Sequence, residues 1–166
     1  YLMGDKMPCL LKFLDAHTHA QFAAYDHDRD EVVKRAKDLG VGMVNVGTEF
    51  ETSKNAVNLA HKHESVWAVV GMHPTHASGS DYHDKRELKK APRKEGEKFA
   101  FEVFKKLAED PRVVAIGECG LDYYRVTSDK QPASPNRGEQ EAREKQKEVF
   151  MSQIRLANEI KKPLMI

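Results

Sequence analysis

Short apolar runs alternate with amphipathic stretches along the 166 residues of this chain. Cys9 to Leu14 reads as a strand. Asp28 to Leu39 repeats its apolar residues at helical spacing through Val32, Ala36 and Leu39, with Gly40 as the stop signal. Gly42 to Val46 is a strand, and Glu51 to Lys62 a helix whose stripe is Ala56, Val57, Leu59 and Ala60. Val66 to Val70 is continuously apolar, as in strands buried on both faces. A helix over Phe99 to Glu109 would bury Val103, Phe104 and Leu107, and Asp110-Pro111 ends it. Val113 to Ile116 is a strand, and Glu139 to Lys161 a long helix with Phe150, Ile154, Ala157 and Ile160 inward. After Pro163, Leu164-Met165-Ile166 starts a fifth strand. Residues 77–98 and 126–138 lack a clear period and are read as irregular insertions.

Repeated strand-helix units imply an α/β fold with a parallel sheet and right-handed crossovers. Both a doubly wound sheet and a (β/α) TIM-type barrel satisfy that pattern. The polar residues favour the barrel. Asp15, His17 and His19 follow the first strand, His73 the third and Glu118 the fourth. In a barrel those strand ends converge on one face, where active sites lie. No glycine-rich dinucleotide fingerprint follows any strand, which counts against the alternative. The chain is therefore expected to hold about the first half of a barrel, four strands and the start of a fifth.

His17 and His19 are one residue apart, so in a strand both imidazoles face the same side. That suits two nitrogen ligands to one divalent metal. Asp15 is placed to accept from an imidazole N–H and fix its tautomer. Glu118, between Gly117 and Cys119 at a strand end, is costly to bury unpaired, and a carboxylate can bridge two cations. His73, held extended by Pro74, is a candidate for a metal or a substrate phosphate. Asp122, Tyr123, Tyr124 and Arg125 follow Glu118 closely and suit an anionic, ring-bearing substrate, or simply a capped barrel mouth. The remaining histidines of the eight present are taken as surface residues. A net charge of +1 advertises no global field for nucleic acid, although a local basic cleft is compatible with it. Cys9 and Cys119 match no ligand spacing and suit a reducing cytoplasm. No stretch has the length and apolarity to span a bilayer, so no membrane partner is expected.

His17-Thr18-His19, Gly71-Met72-His73-Pro74 and above all Gly117-Glu118-Cys119-Gly120-Leu121-Asp122-Tyr123-Tyr124 resemble the TatD family of metal-dependent deoxyribonucleases. The helix from Gln146 to Ala157, leading into Lys162-Pro163-Leu164-Met165-Ile166, is also similar. The resemblance implies residues 1–166 are the N-terminal part of one metal-dependent hydrolase barrel domain binding one or two divalent cations, Mg²⁺, Mn²⁺ or Zn²⁺. It implies His17 and His19 on one metal, Glu118 bridging to the other, and His73 near the substrate. Chemistry at the site adds Arg125 as a candidate phosphate contact beside His73. The substrate implied is nucleic acid, DNA first. Two alternatives remain: an ester hydrolase acting on D-aminoacyl-tRNA from the same site, and a non-catalytic half needing a C-terminal partner or self-association. The family's later ligands, two histidines and an aspartate, fall beyond Ile166.

Overall fold

The computed structural model describes residues 11–78, 86–88, 98–124, 126 and 137–166. Strands β1 (Phe13–Thr18), β2 (Val41–Val46), β3 (Val66–Val70) and β4 (Val113–Ile116) form one sheet in the order β1-β2-β3-β4. Each neighbouring pair is parallel. Strands laid down strictly in chain order follow barrel topology; a doubly wound sheet reverses direction at a switch point. A fifth position begins at Leu164, which bridges in parallel to Ile116. Ile116 N–H donates to Pro163 O at 2.9 Å, and Met165 N–H to Ile116 O at 2.9 Å.

The helices are α1 (Arg29–Asp38), α2 (Phe50–Lys62), α3 (Pro74–Ser78), α4 (Phe101–Ala108) and α5 (Arg137–Ile160). Local chemistry sets their ends. Gly40, at φ 77°, takes the left-handed conformation that closes α1. Glu49 caps α2 by accepting Thr52 N–H at 2.6 Å, while Thr52 Oγ1 accepts Glu49 N–H at 3.0 Å.

Side chains alternate across the sheet. Met43, Val66, Ala68 and Val70 point to the helices and meet Val33, Ala56, Leu59, Ala60, Phe104, Leu156 and Ala157 in the main core. Phe104 is its hub: Phe99 stacks on it at 4.4 Å and Phe50 meets it edge-on at 5.9 Å. Val44, Val46, Val69 and Ala115 form a smaller cluster on the opposite face, with Trp67 and Met165 against it. That face is the one a closed barrel would hold inside. In β4 the register shifts, so Val113 and Ala115 face successive β3 residues while Val114 between them is 38% exposed.

The structure revises several expected elements. The first strand is displaced: it starts at Phe13, opposite Val41, and runs on through Asp15 and His17 to Thr18. Main-chain pairing to β2 is indifferent to side-chain polarity, and all but the last residue of β1 stay exposed. Cys9 lies outside the described residues. In α1 the buried residue is Val33, whereas Leu39 is 73% exposed. In α4 Val103 is 47% exposed and Ala108 is buried. Helix α5 begins at Arg137. Its buried line is Gln146, Val149, Gln153, Leu156 and Ala157, so Phe150 and Ile154 flank the contact rather than centre it. Of the two insertions, 79–85, 89–97 and 127–136 lie outside the described residues. No helix among the described residues is long and apolar enough to cross a membrane.

Three strands end on glycines that tolerate no Cβ. At Gly47 a Cβ would lie 2.2 Å from Ser53 Oγ. At Gly71 it would lie 2.5 Å from both Gln153 Oε1 and Gly117 O. At Gly117, where φ is 155°, it would lie 2.4 Å from Met165 O. Gly71→Ala should cost about 1–3 kcal/mol of unfolding free energy, as overpacking of a tight interior does. Equilibrium denaturation of the variant beside the parent checks this, and an unchanged midpoint would contradict the packing described.

Candidate metal centre

His17 lies in β1 and His19 in the loop that follows, and this stretch is fastened to β2 by side chains. Thr18 Oγ1 donates to Val44 O at 3.1 Å, and Asn45 Oδ1 accepts Ala20 N–H at 2.8 Å. Asn45 is fully buried within β2, where a polar residue is explained by this bond. Arg29, at the start of α1, completes the hold by donating to Ala20 O, Gln21 O and Phe22 O at 2.7–3.1 Å.

The imidazoles of His17 and His19 meet edge to face with centroids 5.0 Å apart. Nδ1 of His19 donates to Val46 O at 2.8 Å, which leaves Nε2 with its lone pair free to ligate. Phe22 stacks on the other side of that ring at 4.4 Å. The tautomer of His19 is therefore set by a backbone carbonyl. Asp15, expected to do this, instead accepts the His17 backbone N–H at 3.2 Å.

Glu118 follows β4 across a cis peptide bond from Gly117. Its N–H donates to Gly47 O at 3.1 Å, and Gly117 N–H to Val70 O at 2.9 Å. Those bonds carry the carboxylate over the ends of the neighbouring strands, placing Oε2 3.4 Å from His17 Nε2. Ligand atoms of His17, His19 and Glu118 all lie within 4.8 Å of one another. Two imidazole nitrogens and one carboxylate oxygen so grouped fit a borderline divalent cation. Cys119 is not part of this set. Burial, with Glu118 beside it, pushes its thiol up to about 11, and Sγ lies 3.4 Å from Met165 O.

His73 approaches from β3. Its N–H donates to Thr48 O at 2.8 Å. Its Nδ1 accepts Thr75 N–H at 3.2 Å and lies 2.7 Å from Thr75 Oγ1, so the neutral ring keeps its proton on Nε2. That atom is 3.9 Å from Glu118 Oε1. His73 thus faces the carboxylate as a donor. One residue taken as ordinary surface belongs to these surroundings: His76 is mostly buried, with Nε2 3.1 Å from Glu87 Oε1. Glu87 also accepts from Thr48 Oγ1, and its backbone carbonyl accepts Ala23 N–H at 3.1 Å. The described piece of the first insertion is thereby docked beside the histidine loop. Arg125 lies outside the described residues. The guanidinium found on an aromatic ring nearby is that of Arg143, 4.9 Å from the Tyr123 centroid, while Tyr124 is 89% exposed.

Burial lowers the pKa of His19 below its ordinary 6.5. The hydrogen bond to Val46 works upward, neighbouring His17 downward, and Glu118 and Glu87 upward. A lowered folded-state pKa favours the neutral ring, so the stability it contributes is present above 6.5 and lost as pH falls through the folded value. Between about pH 7 and pH 5 the metal-free parent should lose more unfolding free energy than His19→Gln, which cannot titrate. Equal acid slopes in denaturant titrations of the two would refute the assignment.

Comparison with known proteins identifies a family. The family described as TatD related DNase matches residues 14–166. The chain is 37% identical over 151 residues to the 3'-5' ssDNA/RNA exonuclease TatD of Erwinia tasmaniensis, covering 90% of this chain and 46% of that protein. It is 35% identical over 148 residues to the Escherichia coli K12 protein of the same name, covering 89% and 45%. The chain thus spans about half the length of these relatives. Among solved structures, YJJV, a TATD homolog from Escherichia coli K12, superposes with a TM-score of 0.62 at 22% identity, covering 93% of this chain and 50% of that one. A TatD family hydrolase from Entamoeba histolytica gives 0.60 at 22%, covering 92% and 48%. At that identity the structural likeness establishes the fold, the leading part of a (β/α) barrel.

Proposed function

The chain belongs to the TatD related DNase family, and from that premise we propose that it forms the metal-binding part of a nuclease that cleaves phosphodiester bonds in single-stranded nucleic acid, DNA first. The observation that carries the reading is the convergence of His17, His19 and Glu118 ligand atoms within 4.8 Å at the carboxyl ends of parallel strands. His17 and His19 would hold one divalent cation, and Glu118 would supply a carboxylate ligand to it or to a second. The nitrogen-rich set favours Zn²⁺ or Mn²⁺, and the carboxylate admits Mg²⁺. When bound, such a cation would serve as a Lewis acid toward water and phosphate oxygens.

The chain's own residues do the rest. Val46 O holds His19 in the ligating tautomer. The Nε2–H of His73 points into the same space and donates to a phosphate oxygen as charge grows there. Tyr124 is 89% exposed and offers an aromatic ring on which a base can stack, and Arg125 supplies a guanidinium for phosphate. Relatives named as 3'-5' ssDNA/RNA exonucleases support phosphodiester over aminoacyl-ester chemistry. We place the activity in a reducing compartment, the cytoplasm, on the cysteine usage. Among the described residues β1 and the Leu164 position are the two ends of the sheet. Further strands, from a C-terminal half or a second copy, complete the barrel in this reading.

Calorimetric titration of the chain with Mn²⁺ or Zn²⁺ should show saturable binding that vanishes in the His17→Ala/His19→Ala double variant. Binding that survives the double variant would remove the site. With the remaining barrel strands supplied, the protein should shorten single-stranded DNA in a chelator-sensitive way. His73→Ala should slow that reaction about 10²-fold, the usual loss when one donor to a developing oxyanion is removed.

A further inference from the structure

Two glutamines on α5 reach past their own helix to hold the backbone of the loops that carry His73 and Glu118. Gln153 is fully buried. Its Oε1 accepts Met72 N–H at 2.8 Å and its Nε2 donates to Met72 O at 2.9 Å. Gln146 is 1% exposed and makes the same paired contact with Asp122: Oε1 accepts Asp122 N–H at 2.8 Å, and Nε2 donates to Asp122 O at 3.0 Å. The same Nε2 lies 3.3 Å from Ser78 Oγ on α3. Met72 directly precedes His73, and Asp122 lies shortly after Glu118.

An amide side chain laid against the backbone of one residue satisfies both its N–H and its C=O, as a neighbouring strand would. These loops have left the sheet, so the pairing replaces ladder bonds they would otherwise lack. Seven positions separate the two residues, which places them on one face of α5, about two turns apart. One rigid helix therefore grips both loops at once. The packing leaves little slack: Gln153 Oε1 occupies space where a Cβ on Gly71 would lie, 2.5 Å away, and Gly117 O closes the same point from the other side.

We infer that Gln146 and Gln153 are positioning residues for the metal centre, and that α5 through them sets the approach of the His73 ring to the Glu118 carboxylate. Neither touches the ligand atoms; each acts through the backbone it holds. The inference rests on the metal reading above for one of its two readouts only.

The test compares Gln153→Met and Gln146→Met in the 166-residue chain with Leu156→Ala, which removes a fully buried α5 side chain that makes no hydrogen bond to either loop. The first readout needs no metal. Ring ¹⁵N shifts of His73 at about pH 8, above the ordinary histidine pKa of about 6.5, report its tautomer. The parent and Leu156→Ala should show the Nε2–H form, and Gln153→Met a mixture of both forms. The second readout is Mn²⁺ affinity, which should weaken about tenfold or more in both glutamine variants, as loss of ligand-orienting partners does, and stay within about twofold in Leu156→Ala. If Gln153→Met does not fold, Gln153→Glu replaces it; this keeps the bond from Met72 N–H and loses the one to its carbonyl. Glutamine variants that match Leu156→Ala in both readouts would overturn the inference. A parent chain that takes no Mn²⁺ would defeat the metal reading, while the His73 shifts would still decide this one.

Discussion

Where β2, β3 and β4 end, each hands over to a glycine, and the three glycines pack where no side chain fits. Gly47 N–H donates to Val69 O, Gly117 N–H to Val70 O, and Glu118 N–H to Gly47 O, all at 2.9–3.1 Å. This layer keeps the carboxyl ends of adjacent parallel strands in lateral contact one residue beyond the ladder. The site depends on that contact. Histidines at the end of β1 and after β3 and the carboxylate after β4 come from distant parts of the chain, and they meet because the strand ends beneath them cannot separate.

Above the glycine layer the backbone is irregular and its polar groups need partners. Buried side chains supply them: Asn45 to Ala20, Ser53 to both N–H and O of Gly71, Gln153 to Met72, and Gln146 to Asp122. Each such bond contributes only about 1 kcal/mol net, but leaving its partner buried and unpaired costs about 1–3 kcal/mol. The asymmetry makes these contacts specific more than strong. They hold one loop conformation against others that would strand a peptide group away from water.

Strands buried on both faces, such as Val66–Val70, were legible because a continuous apolar run has few other uses. The strand-end residues were legible for a related reason, since a histidine or glutamate directly after such a run has no packing role. The bounds of β1 are hard to read from sequence because, among the described residues, it pairs only with β2 and its polarity carries little information. Asp15 was assigned to an imidazole because sequence gives proximity without direction, and the carbonyl of Val46 leaves no trace in side-chain identity. The line of α5 was drawn through Phe150 and Ile154 because an apolar count skips glutamine. Gln146, Val149, Gln153, Leu156 and Ile160 do follow the helical period of three and four, so polar residues on that period were the available signal.

Two imidazoles and a carboxylate, the His19 ring held by the Val46 carbonyl, converge at the carboxyl end of the sheet. The central claim is that this point is a metal site of that composition. Pulsed electron paramagnetic resonance on Mn²⁺ bound to the chain counts coordinated imidazoles directly through their nitrogen couplings. The account predicts two directly coordinated histidine nitrogens, one of which disappears in His17→Ala and the other in His19→Ala. A spectrum with no coordinated imidazole, or one unchanged in both variants, would contradict it.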